Sequence, residues 1–162
     1  AGELDFDSGQ MSQEQLSNAV EEAKGRGEKI VMTNGCFDLI HAGHVNYLKE
    51  ARCLGDRLIV AINSDESVRR QKGEGRPLVT LDHRMTTLAG LSDVDWVVPF
   101  YEDTPEKLID TLRPDVLAKG GDYTVNQVIG ADIVKSYEGE VKVVSLVEDC
   151  STSALVDKIR EM

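Results

Sequence analysis

The sequence predicts a single α/β domain built on a doubly wound, parallel five-stranded sheet with helices on both faces. Three observations carry that expectation. Leu58–Ile62 reads Leu-Ile-Val-Ala-Ile, a continuous apolar run suited to a strand covered on both faces. Short apolar segments of this kind alternate along the chain with segments whose apolar residues recur at helical spacing. The length of 162 residues, 41% of them hydrophobic, is enough to bury one core without disulfides or metal staples.

Taken in order, residues 1–11 are acidic, contain Gly and Ser, and show no periodicity, so they are expected to be a tail or a linker remnant before a domain over residues 12–162. Ser12 and Gln15 form a capping box, and Leu16, Ala19, Val20 and Ala23 then share one helical face that Gly25 and Gly27 end. Ile30–Thr33 reads as the first strand. A helix from about His44 follows, with Val45, Leu48 and Ala51 on one face and Gly55 at its C-terminal cap. Leu58–Ile62 is the second strand, and Arg69–Pro77 reads as a basic, glycine-containing loop. A helix near Asp82–Leu91 and a strand at Asp95–Pro99 come next. Thr104-Pro105-Glu106 is read as an N-cap with proline in the first turn, opening a helix to about Leu112. Val116–Lys119 and Val141–Leu146 are the last two strands, and Ser151 to Met162 a closing helix carrying Leu155, Val156 and Ile159.

Strands separated by helices imply right-handed βαβ units and a Rossmann-like sheet, whose ligands sit beyond the carboxyl ends of the strands where strand order reverses. The polar clusters after strands one and four are therefore the candidate site. The 18 Lys and Arg against 29 Asp and Glu give a net charge of −11, which argues against nucleic acid and against an anionic membrane as partners. No apolar run approaches the ~20 residues that span a bilayer. The N-terminus has no signal-peptide pattern, and Cys36, Cys53 and Cys150 form no Cys-x-x-Cys pair, so a cytoplasmic location with reduced thiols is expected.

After the first strand the chain reads Thr33-Asn34-Gly35-Cys36-Phe37-Asp38-Leu39-Ile40-His41-Ala42-Gly43-His44. Asn34-Gly35 makes a tight turn whose N–H groups can face an anion, and the helix that follows points its positive end at the same space. Gly43 allows a phosphate or base close to the backbone. Two imidazoles beside a helix N-terminus suit the stabilisation of charge on a phosphate transition state. Their alternatives are a metal pair, which lacks further ligands nearby since His83 lies far along the chain, or a packed core pair. Five cations, Arg69, Arg70, Lys72, Arg76 and Arg84, fall within residues 69–84 of an acidic chain, which favours an anion-binding lid over a merely solvated loop. Ser151-Thr152 can cap the last helix and contact phosphate at once.

The His-x-Gly-His motif after a Thr-x-Gly-x-Phe-Asp strand end resembles the nucleotidyltransferase superfamily that includes the cytidylyltransferases. Asn63-Ser64-Asp65, Lys72-Gly73-x-x-Arg76-Pro77, His83-Arg84-Met85, Lys119-Gly120-Gly121-Asp122-Tyr123 and Cys150-Ser151-Thr152-Ser153 resemble the D-glycero-β-D-manno-heptose 1-phosphate adenylyltransferases, which occur alone or fused behind a sugar kinase. The resemblance implies transfer of AMP from ATP, with Mg2+, to a sugar 1-phosphate in lipopolysaccharide core synthesis, and a homodimer or larger assembly. It implies His41, His44, Lys72 and Arg84 as the catalytic set, Arg84 together with the Ser151-Thr152 helix end holding the β and γ phosphates. Nucleotide contacts are implied for Thr33, Asn34, Gly35, Cys36, Phe37, Gly43, Arg76, Lys119, Gly120, Asp122, Ser151 and Thr152, with Asp38 as an orienting residue and no protein-held metal. A cytidylyltransferase acting on glycerol 3-phosphate and a non-catalytic nucleotide-binding module are the competing expectations.

Overall fold

The computed structural model describes residues 9–145 and 152–161, the side chains of 152–155 excepted. It contains helices α1 (Gln13–Gly25), α2 (Ala42–Arg52), α3 (Asp65–Lys72), α4 (Leu81–Ala89), α5 (Glu106–Leu112), α6 (Ala131–Ser136) and α7 (Thr152–Arg160). The strands are β1 (Ile30–Gly35), β2 (Arg57–Asn63), β3 (Trp96–Phe100), β4 (Val116–Gly120) and β5 (Glu140–Val144). They form one sheet in the order β3-β2-β1-β4-β5, parallel at every pairing, which is the doubly wound arrangement expected of the sequence.

The two sides of the apolar strands explain the layering. Ile30, Met32, Ile59, Ala61, Trp96, Val98 and Leu117 pack with Leu16 and Val20 of α1, Leu108 and Ile109 of α5, and Val134 of α6. Their neighbours Val31, Leu58, Val60, Ile62, Val97 and Ala118 pack on the other side with Tyr47 and Leu48 of α2 and Met85 and Leu88 of α4. With alternate side chains buried on opposite faces, each strand needs an uninterrupted apolar run.

Several local expectations are corrected. Gly9 and Met11 bond across to Val97 of β3, so at least residues 9–11 belong to the fold rather than to a tail. Single-residue pairing leaves no period to read. Arg69–Lys72, expected as the start of a loop reaching Pro77, is instead the end of helix α3: Ser64 caps it, Asp65 and Glu66 occupy its first turn and Arg69, Arg70 and Lys72 its last. That charge order matches the helix dipole, but with only Ser67 and Val68 buried it shows no apolar stripe. Helix α2 begins at Ala42 with His41 as its cap, earlier than expected. Pro105 itself is the cap residue of α5, and Thr104 bonds the Glu106 carboxylate instead. Helix α6 is too short for periodicity to announce it. Residues 1–8, and the expected end of the fifth strand at Leu146, lie outside the described residues. No helix among the described residues is long and apolar enough to cross a membrane.

Candidate active site

Strand order reverses between β1 and β4. Their paired residues end at Met32–Leu117, yet β1 runs on to Gly35 and β4 to Gly120, so the carboxyl ends of both strands border a crevice. Asn34 and Gly35 line it from β1, and Lys119 and Gly120 from β4, all half-buried; Asp122 beyond them is exposed.

The loop leaving β1 turns tightly. A side chain at Gly35 would meet the Phe37 ring at 2.9 Å, and Phe37 itself has a left-handed φ of 49°, a strained backbone that the surrounding contacts must hold. The loop delivers the chain to His41, the cap of α2. Its Nδ1 accepts the Gly43 N–H at 3.1 Å, and the His41 N–H donates to Nδ1 of His44 at 3.2 Å. Each main-chain donor fixes one tautomer: with Nδ1 accepting, the proton of each neutral ring sits on Nε2. The rings stack with centroids 3.9 Å apart, and Phe37 lies 5.3 Å from His44. Burial lowers the pKa of His41; burial and then the neighbouring His41 bring His44 down to about 4. Both rings are therefore neutral hydrogen-bond donors at pH 7. His41 Nε2 is buried and, among the described residues, meets no hydrogen-bond partner. A buried donor at a helix N-terminus suits an incoming anion.

Positive charge gathers around this loop despite the net charge of −11. Burial raises the pKa of the Cys36 thiol, while Lys72, Arg84, Arg76 and Lys119 all pull it down, so these four cations converge on the loop. Burial lowers the ammonium pKa of Lys119; Cys36 opposes this and Lys72 adds to it. Lys72 is exposed at the end of α3 and Arg69 is exposed one turn before it, while Arg70 pairs with Asp103 at 2.8 Å. The basic segment is thus the end of a helix, and one of its arginines is committed elsewhere.

Three expected contacts have other partners. The Thr33 hydroxyl turns into the core and bonds Tyr47 Oη at 2.6 Å, tying α2 to β1, and burial pushes the Tyr47 phenol up to about 12. Tyr47→Phe is expected to cost about 1 kcal/mol of stability in a urea titration, because Thr33 loses its only described partner; an unchanged midpoint would refute the tie. Arg76 pairs with Asp38 at 2.8 Å, in a contact where Asp38 also accepts the N–H groups of Leu78 and Val79. Arg84 is wholly buried and bonded within the protein. Asn63 and Asp65 hold this arrangement together, and neither was among the expected site residues; Asn63 donates to Ser67 and accepts from Cys36, while Asp65 pairs with Arg84. Ser151 lies outside the described residues, and Thr152 begins α7 with its side chain undescribed. Helix α7 nonetheless returns to the site region, since a side chain at Gly75 would meet the Arg160 guanidinium at 3.3 Å.

Among the described residues, no group of three His, Cys, Asp or Glu side chains is placed to hold a metal ion, and Asp38, the carboxylate of the loop, is occupied by its three donors. The protein side of the crevice offers N–H groups and cations, a donor set for phosphate.

Comparison with known proteins agrees with this geometry. The chain is 62% identical over 153 residues to the bifunctional protein HldE of Pseudomonas paraeruginosa and 59% identical to that of Alcanivorax borkumensis, in each case over 94% of this chain and 32% of the relative. It therefore spans about a third of the length of the curated relatives it matches. The crystal structure of a lipopolysaccharide core biosynthesis protein from Thermoplasma volcanium superposes with a TM-score of 0.61 at 28% identity, covering 75% of this chain and 98% of that one. The cytidylyltransferase-like family model matches residues 32–158, from the middle of β1 into α7. With the His41–His44 pair at the switch point of the sheet, the chain belongs to the cytidylyltransferase-like family of nucleotidyltransferases.

Proposed function

We propose that the chain is an adenylyltransferase, transferring AMP from ATP to D-glycero-β-D-manno-heptose 1-phosphate to give ADP-heptose and pyrophosphate. The observation that carries transfer is the pair of neutral Nε2–H donors at the start of α2, one of them buried without a described partner. The choice of acceptor and of ATP rests on likeness to the HldE proteins and on the Lys119-Gly120-Gly121-Asp122-Tyr123 segment. In this reading the domain works in the cytoplasm as part of a longer, kinase-fused protein or alone, in a homodimer or larger assembly.

An oxygen of the sugar phosphate forms a bond to the α-phosphorus of ATP in line with the bond that breaks, and pyrophosphate leaves with that electron pair. The nucleophile is already an anion, so no base is required; catalysis is positioning and charge stabilisation. His41 and His44 donate to the phosphate oxygens and follow their charge as phosphorus becomes five-coordinate. Lys72 at the end of α3 and Lys119 of β4 supply positive charge beside the loop, and magnesium enters with ATP as part of the substrate. Lys72→Ala is expected to lower kcat/KM for ATP by roughly 10-fold or more. Steady-state kinetics check this, and unchanged values would remove Lys72 from the site.

The deciding experiment is pyrophosphate release with Mg2+, crossing ATP and CTP against heptose 1β-phosphate and glycerol 3-phosphate. Release only with ATP and the heptose phosphate is the expected result. Release only with CTP would make the domain a cytidylyltransferase of another pathway. ATP binding without release under any combination would make it a binding module.

A further inference from the structure

Arg84 heads the wholly buried side chains of the fold by size, and its guanidinium is spent inside it. Nε donates to the Val79 carbonyl at 2.9 Å, Nη1 to the carbonyls of Cys36 and Asn63 at 2.8 Å each, and Nη2 to Asp65 Oδ1 at 2.6 Å. All three nitrogens are engaged, which leaves one of the five N–H groups of an arginine. The acceptors belong to separate segments: the loop that leads to the histidines, the end of β2, the first turn of α3 and the stretch before α4. Helix α3 carries Lys72 at its far end, so its first turn sets where that cation stands. With its side chain 0% exposed, Arg84 has no solvent-facing side from which the remaining N–H could meet a phosphate.

Resting on the nucleotidyl-transfer reading, we infer that Asp65 and Arg84 are a positioning pair that fixes the Cys36 carbonyl and helix α3 relative to the histidines, and that Arg84 does not touch the triphosphate. Asp65 supplies the counter-charge that lets a guanidinium be buried there; Arg84 supplies the planar fork that a lysine cannot imitate.

Two variants and one spectroscopic readout test the pair. Arg84→Lys keeps the charge but cannot span the acceptors, and is expected to lower kcat about 10-fold with KM for ATP within about threefold of wild type. Asp65→Asn keeps an acceptor oxygen and removes the charge, and is expected to lower kcat about threefold; the double variant is no slower than Arg84→Lys, because both act through one network. Asp65 is partly exposed, so its variant keeps the kinetic test available should Arg84→Lys fail to fold. In 15N NMR the Arg84 guanidinium N–H signals exchange slowly with water, keep their shifts when Mg·ATP is added to saturation, and exchange faster in Asp65→Asn. A wild-type kcat in Asp65→Asn, losses that multiply in the double variant, or a large shift of the Arg84 signals on adding Mg·ATP would overturn the inference. Absence of transfer by the wild-type chain would instead overturn the reaction and with it the pair's place in it, while the NMR titration still reports whether Arg84 meets phosphate.

Discussion

His44→Ala is expected to lower turnover by about 100-fold or more while leaving the protein folded, as expected for loss of a donor aimed at developing charge. The substitution removes the Nε2–H and also the ring that stacks on His41 at 3.9 Å, so the partner histidine loses part of its orientation. Pyrophosphate release checks the rate and a thermal melt the fold; near-normal turnover in a folded variant would sink the mechanism. The pH dependence has a definite sign. Burial holds His44 neutral until about pH 4, so kcat/KM should not follow titration of the His44 ring between pH 6 and 8. An unfolded histidine takes its proton near pH ~6.5. Acidification from there toward pH 4 therefore favours the unfolded chain, and His44→Ala should soften that acid limb in stability measurements.

The largest effect on stability is expected from Asp38→Ala. The Asp38 side chain is 0% exposed and receives Arg76 Nε at 2.8 Å, the Leu78 N–H at 2.9 Å and the Val79 N–H at 2.8 Å. Its loss leaves Arg76, 9% exposed, as a buried cation without a counter-charge and two main-chain donors without an acceptor. Breaking a buried pair from one side costs about 3–5 kcal/mol, a large share of the ~5–15 kcal/mol that holds a domain together. Urea denaturation measures it, and a loss below 1 kcal/mol would show that the clasp carries little. Burial alone would raise the Asp38 pKa, but the Leu78 and Val79 N–H groups and Arg76 outweigh it and hold the value below 3.8. The stabilisation is thus present above the unfolded value and is lost as pH falls through the lower folded one, so Asp38→Asn should flatten the acid limb.

What the sequence disclosed follows from what leaves a periodic trace. Leu58–Ile62 and the other apolar runs revealed strands covered on both faces, and the alternation with helices led to the correct sheet class. The His41–His44 spacing and the Lys119-Gly120 turn pointed to the crevice because polar residues just after a parallel strand have few other roles. Helix α3 escaped notice since its surface is almost wholly polar, and its signal lay in Ser64 as cap and in the order of its charges. Arg84 was legible as a cation near the site, but its burial was not: four acceptors from distant segments meet it only in three dimensions. Asp38 as an orienting group came from the family resemblance, whereas its partners Leu78 and Val79, giving only main-chain N–H groups, leave no mark in residue type.

The pairing of Gly9 and Met11 with β3 bears on how copies of the molecule can meet. Val97 turns its N–H and carbonyl outward, and Gly9 and Met11 take both. The next outward residue, Pro99, has no N–H to offer, and its carbonyl already accepts Gln13 Nε2 at 3.1 Å. That border of the sheet is closed to a foreign strand. At the opposite border, β5 sets the exposed charges Glu140 and Lys142 between its apolar residues, the pattern that discourages strand-to-strand aggregation. Among the described residues, neither border invites a sheet continuous between molecules.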